Sequence, residues 1–231
     1  MRVEVGTSGY SYKEWKGKFY PEDLAAAEML RFYASRLTTV EINNTFYRMP
    51  TDKLVLGWAS EVPDGFTFAV KAPQRITHQK RLKDAKEVTE TFLHVAGKLG
   101  DKMGPLIFQL PPNFKKDVPR LDEFLSLFPS DVRVAFEFRH ESWFDGEVYD
   151  TLRTHRTALC GAESDDLASP VVATTDWGYM RLRRTDYTDP EIDAWAKKIL
   201  AEPWKEAFVY MKHDEGAAPE LAAKLLARVR G

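Results

Sequence analysis

At 231 residues, 44% hydrophobic and 13% aromatic, the chain has apolar material for one large core or two small ones. No composition break or linker divides it, which favours one domain over residues 1–231. A formal net charge of −2 argues against a general electrostatic affinity for nucleic acid or anionic membrane and leaves such binding to a local patch. The single cysteine, Cys160, excludes a disulfide framework and a cysteine-based zinc cluster, and in the run TALCG it reads as a small buried hydrophobe. No apolar run is long enough to span a bilayer, and the N-terminus goes straight into strand-like alternation. A reducing cytoplasm is therefore the expected location, with no membrane partner.

The first predicted strand covers residues 3–7. It runs into SGYSYKEWKGKFYP, a long Gly- and aromatic-rich loop of the kind that shapes ligand sites. A helix is predicted over residues 23–35 from the stripe Leu24, Ala27, Leu30 and Tyr33 or Ala34. Residues 38–43 form the second strand, NTFYRMP closes it, and Pro50 leads into a helix over 52–60. Gly65 opens the third strand, FTFAVKA, which is followed by the basic loop PQRITHQKRLK and a helix over 85–99. Gly104 and Pro105 precede the strand LIFQL, which Pro111 and Pro112 stop because proline cannot continue a ladder.

A helix near 119–128 leads to the strand at the start of RVAFEFRHESW, and another over 144–154 follows it. Residues 157–161 make a sixth strand, GAESDDLASP is a polar connection, and VVATT is a candidate extra strand. GYMRLRR, a helix over 190–200, AFVYMKH and a helix over 219–230 complete the chain. This alternation, eight times over, predicts an α/β fold, a TIM-like (β/α)8 barrel, with a doubly wound open sheet as the competitor.

Side-chain parity places the charges. In a barrel the outer strand face meets helices and must be apolar, so the parity carrying charge points inward. Glu137 and Arg139 alternate with Phe136 and Phe138, Glu41 and Asn43 with Val40 and Ile42, and Glu4 with Val3 and Val5. Lys71, Gln109, Arg181, Arg183 and Lys212 occupy the same inward parity on their strands, together with the small residues Gly6, Ala69 and Ala135. The cations Lys71, Arg139, Arg181, Arg183 and Lys212 outnumber Glu4, Glu41 and Glu137, which favours an anionic ligand. A structural ion-pair network is the competing explanation.

Five ordered segments, GTSGYSYKEWKGKFYP, TTVEINNTFYRMP, FAVKAPQRITH, GPLIFQLPP and VAFEFRHESW, together resemble the YecE-like family, domain of unknown function 72. The resemblance runs over essentially the whole chain. It implies a TIM barrel and marks Asn43, Tyr47, Lys71, His78, Gln109, Glu137, Arg139 and Trp143 as positions inside the matching motifs, with no chemical role attached. The last third departs from the pattern. Arg181-Leu182-Arg183-Arg184 stands where many members have an Arg-Phe-His-Gly type sequence, and Lys212-His213-Asp214 where many have Asn-Asn-Asp.

For general acid or base work the candidates are Glu137, Glu41 and Lys71. Desolvation raises a carboxyl pKa in a partly dry barrel mouth while Arg139 and Lys71 lower it. Glu137 leads; its alternative is an ion-pair partner, as Arg139 is either an anion clamp or the group orienting Glu137. His78, in RITHQKR, is a proton donor or a hydrogen-bonded loop histidine. Lys71 would form a Schiff base only if its pKa were depressed, and nearby carboxylates oppose that. Gln109 and Asn43 are neutral orienting groups or satisfy buried backbone.

A divalent metal between Glu41, Glu137, His140, His213 and Asp214 is conceivable, but no compact ligand spacing assigns one, and no glycine-rich loop signals a nucleotide cofactor. The aromatics Tyr10, Tyr12, Trp15, Phe46, Tyr47 and Trp143, with basic residues Lys71, Arg75, Lys80, Arg81 and Lys83, form either a stacking wall for bases or sugars or the packing of long loops. The leading expectation is an enzyme, a hydrolase or lyase, that binds a small anionic or phosphate- or sugar-containing ligand at the C-terminal barrel mouth. Glu137, Lys71 and His78 supply acid-base groups; Glu41, Asn43, Tyr47, Gln109, Arg139, Trp143, Arg181, Arg183 and Lys212 surround the ligand. The alternative is a non-catalytic nucleic-acid-binding module.

Overall fold

Strands that alternate bulky apolar residues with small or charged ones have two faces, and each face needs its own core. The computed structural model, which describes residues 1–164, 168–184, 187–212 and 216–231, supplies both. Eight parallel strands, β1 (Arg2–Ser8), β2 (Thr39–Ile42), β3 (Thr67–Lys71), β4 (Met103–Gln109), β5 (Val134–Glu137), β6 (Ala158–Glu163), β7 (Trp177–Leu182) and β8 (Glu206–Met211), pair in chain order. β8 then pairs with β1 to close the barrel, which excludes the open sheet.

The outward residues Val134, Phe136 and Phe138 join one large apolar cluster with the covering helices. Ala135 lies in a second, inner cluster with Ala69, Ile107, Cys160, Tyr179, Phe208 and Tyr210. This inner plug fills the lower barrel, so the late, polar residues of each strand stand above it, toward the C-terminal end. Glu4 corrects the inward charge balance. It lies early in β1, bonded to Arg2 and Thr38, at the opposite end of the barrel from Glu41 and Glu137. Gly6 is required by close approach: a Cβ there would lie 2.0 Å from the Thr39 carbonyl oxygen on β2.

Among the described residues seven α-helices cover the barrel: α1 (Met29–Ala34), α2 (Asp52–Glu61), α3 (Lys86–Ala96), α4 (Val118–Leu125), α5 (Gly146–Thr154), α6 (Asp189–Ala201) and α7 (Ala218–Arg230). The first is shorter than its apolar stripe predicts. Ala25 is extended and offers no side-chain cap, and a 3-10 turn at Ala26–Glu28 takes the place of the first helical turns. The eightfold alternation also lacks one helix, since the described residues between β6 and β7 form none. Nor is VVATT a strand. Thr174 instead accepts a hydrogen bond from Leu159 N–H at 2.9 Å and donates one to the Thr157 carbonyl at 2.7 Å, pinning the connection back against β6.

Candidate functional site at the barrel mouth

β2, β5 and β7 carry inward charges near their ends, and the three meet. Glu41 and Glu137 are fully buried and Arg181 is 2% exposed, so each charge needs a partner. The Arg181 guanidinium forks between them: Nη2 donates to Glu41 Oε1 at 2.9 Å, and Nη1 donates to Glu137 Oε2 and, at 3.2 Å, to Gln109 Oε1. One planar cation thereby ties β2, β4, β5 and β7 across the lumen. Glu41 also accepts from Ser8 Oγ at 2.9 Å, Asn43 Nδ2 at 2.9 Å and Tyr179 Oη at 2.7 Å. Burial pushes its pKa up, but Arg181 and these donors outweigh burial and hold it below the ordinary carboxylate value.

Glu137 follows the same logic more strongly. Burial raises its pKa; Arg181, Arg139 and Arg183 together bring it down to about 2. At neutral pH it is therefore ionised and paired with arginines, the arrangement that its ion-pair alternative describes. Arg139 Nε stands 2.6 Å and Arg183 Nη1 3.6 Å from Glu137 Oε1. Neither N–H forms a hydrogen bond with that oxygen, so both buried arginine donors remain unsatisfied. Both side chains keep part of their surface open, 18% for Arg139 and 25% for Arg183.

Lys71, at the end of β3, is half-buried. Its Nζ donates to Gln109 Oε1 at 2.7 Å and sits 4.2 Å over the Phe46 ring. Desolvation lowers its pKa and Arg181 adds to the effect; Glu137 and Glu41 oppose it, and the balance falls at about 7. The carboxylates do not prevent this depression, because Glu41 is paired with Arg181 and Glu137 with Arg181, Arg139 and Arg183. His78 lies in a π-helical turn at Arg75–Gln79, bonded through Nδ1 to Thr77 Oγ1 at 2.9 Å and set edge-to-face on Phe46. Burial, Lys71 and Arg81 lower its pKa, so the imidazole is neutral. Beyond it the chain turns through three non-glycine residues of positive φ, Arg81 (49°), Leu82 (67°) and Asp84 (48°), with Leu82 buried as the anchor.

Several sequence-predicted site residues lie elsewhere. Trp143 is fully buried; it stacks on Phe138 at 4.6 Å and donates its indole N–H to the Phe114 carbonyl at 2.6 Å. Trp15 is buried as well, packed against Tyr12, Phe19 and Tyr20. These rings hold the loops down, because long loops need apolar anchors, and do not present a stacking wall. Tyr47 is 77% exposed and touches the edge of Phe46. Arg81 donates to Asn113 at 3.1 Å. Glu41 is occupied by Arg181 and by neutral donors, and Arg181 by Glu41, Glu137 and Gln109. Lys212 follows β8 and is partly exposed, its backbone N–H bonded to the Leu182 carbonyl.

The conceivable metal set does not assemble among the described residues. His140 caps the turn at Glu141–Trp143 by accepting from Ser142 N–H at 3.1 Å, and His213 and Asp214 lie outside the described residues. No group of three or more His, Cys, Asp or Glu among the described residues is placed to hold a metal ion. Sequence reasoning missed Tyr179 and Ser8. Tyr179 shares the parity of Arg181 two positions on, and Ser8 that of Gly6, so the same alternation could have found both.

Comparison with known proteins places this arrangement. UPF0759 protein YecE of Escherichia coli (strain K12) is 34% identical over 152 residues, 65% of this chain and 53% of that protein. UPF0759 protein YunF of Bacillus subtilis (strain 168) is 29% identical over 161 residues, 64% of this chain and 54% of that protein. The chain thus spans about half the length of the curated relatives it matches. The crystal structure of a DUF72 family protein from Thermotoga maritima covers 100% of both chains with a TM-score of 0.84 at 28% identity. The family model described as Protein of unknown function DUF72 matches residues 4–231, and the chain belongs to that family.

Proposed function

We propose that this protein is an enzyme, of hydrolase or lyase type, that moves a proton to or from a small anionic ligand at the C-terminal barrel mouth, with Lys71 as the proton-transfer group. The observation that carries the reading is an amine with a pKa of about 7, held by the Gln109 amide above a lumen in which three arginines meet two carboxylates. A group poised near the working pH is suited to both accept and donate a proton. Arg139 and Arg183, with unsatisfied N–H groups and partly open side chains, hold the anion. Glu137 keeps those arginines in place, Asn43 orients Glu41, and neutral His78 stands at the rim as a second proton carrier. No helix among the described residues is long and apolar enough to cross a membrane, and the buried thiol of Cys160 fits a reducing cytoplasm.

Thermal unfolding with inorganic phosphate, malonate or oligo-dT tests the reading. Ligand at tenfold its Kd adds about 1.4 kcal/mol to the native state, or roughly 3–6 °C for a chain of this size. The expected result is a rise with phosphate or malonate that Arg139→Gln and Arg183→Gln each abolish. A rise with oligo-dT alone, insensitive to both substitutions and screened by salt, would instead make the protein a nucleic-acid-binding module.

A further inference from the structure

We infer that Lys71 is a nucleophilic amine that condenses with a small carbonyl compound bearing a carboxylate or phosphate, forming a Schiff base at the barrel mouth. This rests on the anion site proposed above and names its substrate class. Among the described residues Lys71 stands without a carboxylate of its own: Nζ meets a neutral amide oxygen at 2.7 Å and an aromatic face at 4.2 Å. The carboxylates that would hold it as an ammonium, Glu41 and Glu137, are both taken by Arg181. A cation intended only to bind an anion is better made from arginine, which keeps its charge, and Arg139 and Arg183 already stand at this mouth with buried donors unsatisfied. Lys71 thus places beside these guanidiniums an amine that can shed its proton, and its depressed pKa agrees with that placement.

The chemistry balances without an oxidant or reductant. The neutral amine attacks the carbonyl carbon, a C–N bond forms, and the carbonyl π pair moves to oxygen, which takes the proton that nitrogen releases. The resulting carbinolamine loses its hydroxyl as water after gaining a proton, and the nitrogen lone pair closes the C=N bond. One amine and one carbonyl yield one protonated imine and one water, with a proton taken up. The iminium carries the same charge as the ammonium it replaces, so the network around Arg181 is not asked to tolerate more. Arg139 and Arg183 take the anionic group of the substrate. Neutral His78, packed on the Phe46 ring that also lies under Nζ, is placed to carry the proton on which water loss depends.

Borohydride trapping tests the inference. The protein is incubated at neutral pH with pyruvate, or with acetone as the uncharged control, reduced with sodium borohydride, digested and mapped by mass spectrometry. The expected result is one adduct per chain on Lys71 with pyruvate, at least tenfold less with acetone, and loss of that adduct in Lys71→Arg and Arg139→Gln. Thermal unfolding with pyruvate runs alongside. A pyruvate-dependent rise in Tm without an adduct on Lys71 would overturn the Schiff base and leave the anion site standing. Adducts scattered over surface lysines equally in wild type and Lys71→Arg would overturn it too. No Tm rise with pyruvate, phosphate or malonate, and no adduct, would sink both. Because the mapping is made on the wild-type protein, a variant that fails to fold does not remove the test.

Discussion

An amine half-protonated at neutral pH is a cost to the fold, set by desolvation and by the Arg181 charge. In the folded barrel Lys71 titrates at about 7, against an ordinary value of 10.5. Between those values the unfolded chain binds more protons than the folded one, so the stability tied to Lys71 rises with pH across that window. Below about 7 the penalty is present in full. Lys71→Met removes it, and the variant is expected to be more stable than wild type by about 1–3 kcal/mol near pH 6, with the gap closing toward pH 10. Urea unfolding of both proteins across this range checks it; a gap that does not change with pH would mean that Lys71 titrates normally.

Backbone contact between neighbouring strands limits what the elements tolerate. Gly6 faces Thr39 in the β1–β2 register, and a Cβ there would meet a backbone oxygen at 2.0 Å and the carbonyl carbon at 2.8 Å. No side-chain rotation relieves such a contact. Gly6→Ala is expected to cost upward of about 3 kcal/mol or to prevent folding. Gly57, inside α2, has open space where a Cβ would stand, with nothing within 4 Å, and Gly57→Ala is expected to stabilise by about 0.5–1 kcal/mol through helix propensity. Chemical denaturation of the two variants separates close approach from mere flexibility, and equal effects would refute the assignment. The sequence places both glycines in their elements. The opposite signs of the two substitutions come from what lies across from each: the Thr39 backbone, set by strand register, for Gly6 and open space for Gly57.

The whole barrel is joined across its lumen by one cation shared between two carboxylates. Glu137 titrates at about 2 and Glu41 below its ordinary value of 4.5. A carboxylate with a depressed folded pKa stabilises fully above its unfolded value and loses that contribution as pH falls toward the folded one. Stability is therefore expected to drop steeply as pH falls from about 4.5 to about 2, with the barrel opening when Glu137 and Glu41 are protonated. Glu137→Gln leaves Arg181 to Glu41 alone and takes from Arg139 and Arg183 the carboxylate they share. It is expected to cost roughly 3–5 kcal/mol at neutral pH, because it leaves partly buried guanidiniums without a counter-charge, and to flatten the acid limb. Circular dichroism against pH for both proteins decides it.

The alternation of apolar with small or charged residues was enough to favour the barrel and to give the side of each strand that faces the lumen, while the β8–β1 pairing decided closure over an open sheet. Strand parity has period two, and a closed sheet leaves charge only one face. Lys71, Gln109, Glu137, Arg139, Arg181 and Arg183 were legible for that reason, and so, in principle, were Ser8 and Tyr179. Allegiance among these groups was not legible. Height along the barrel separates Glu4 from Glu41, and Arg181 spans strands far apart in sequence to claim both Glu41 and Glu137. That pairing turns Glu137 from a candidate acid into a fixed anion and releases Lys71 from its carboxylates. Desolvation and distance set a pKa, and both exist only once the chain has closed on itself. The same closure buried Trp15 and Trp143 as loop anchors, a choice between packing and recognition that an aromatic residue does not declare in one dimension.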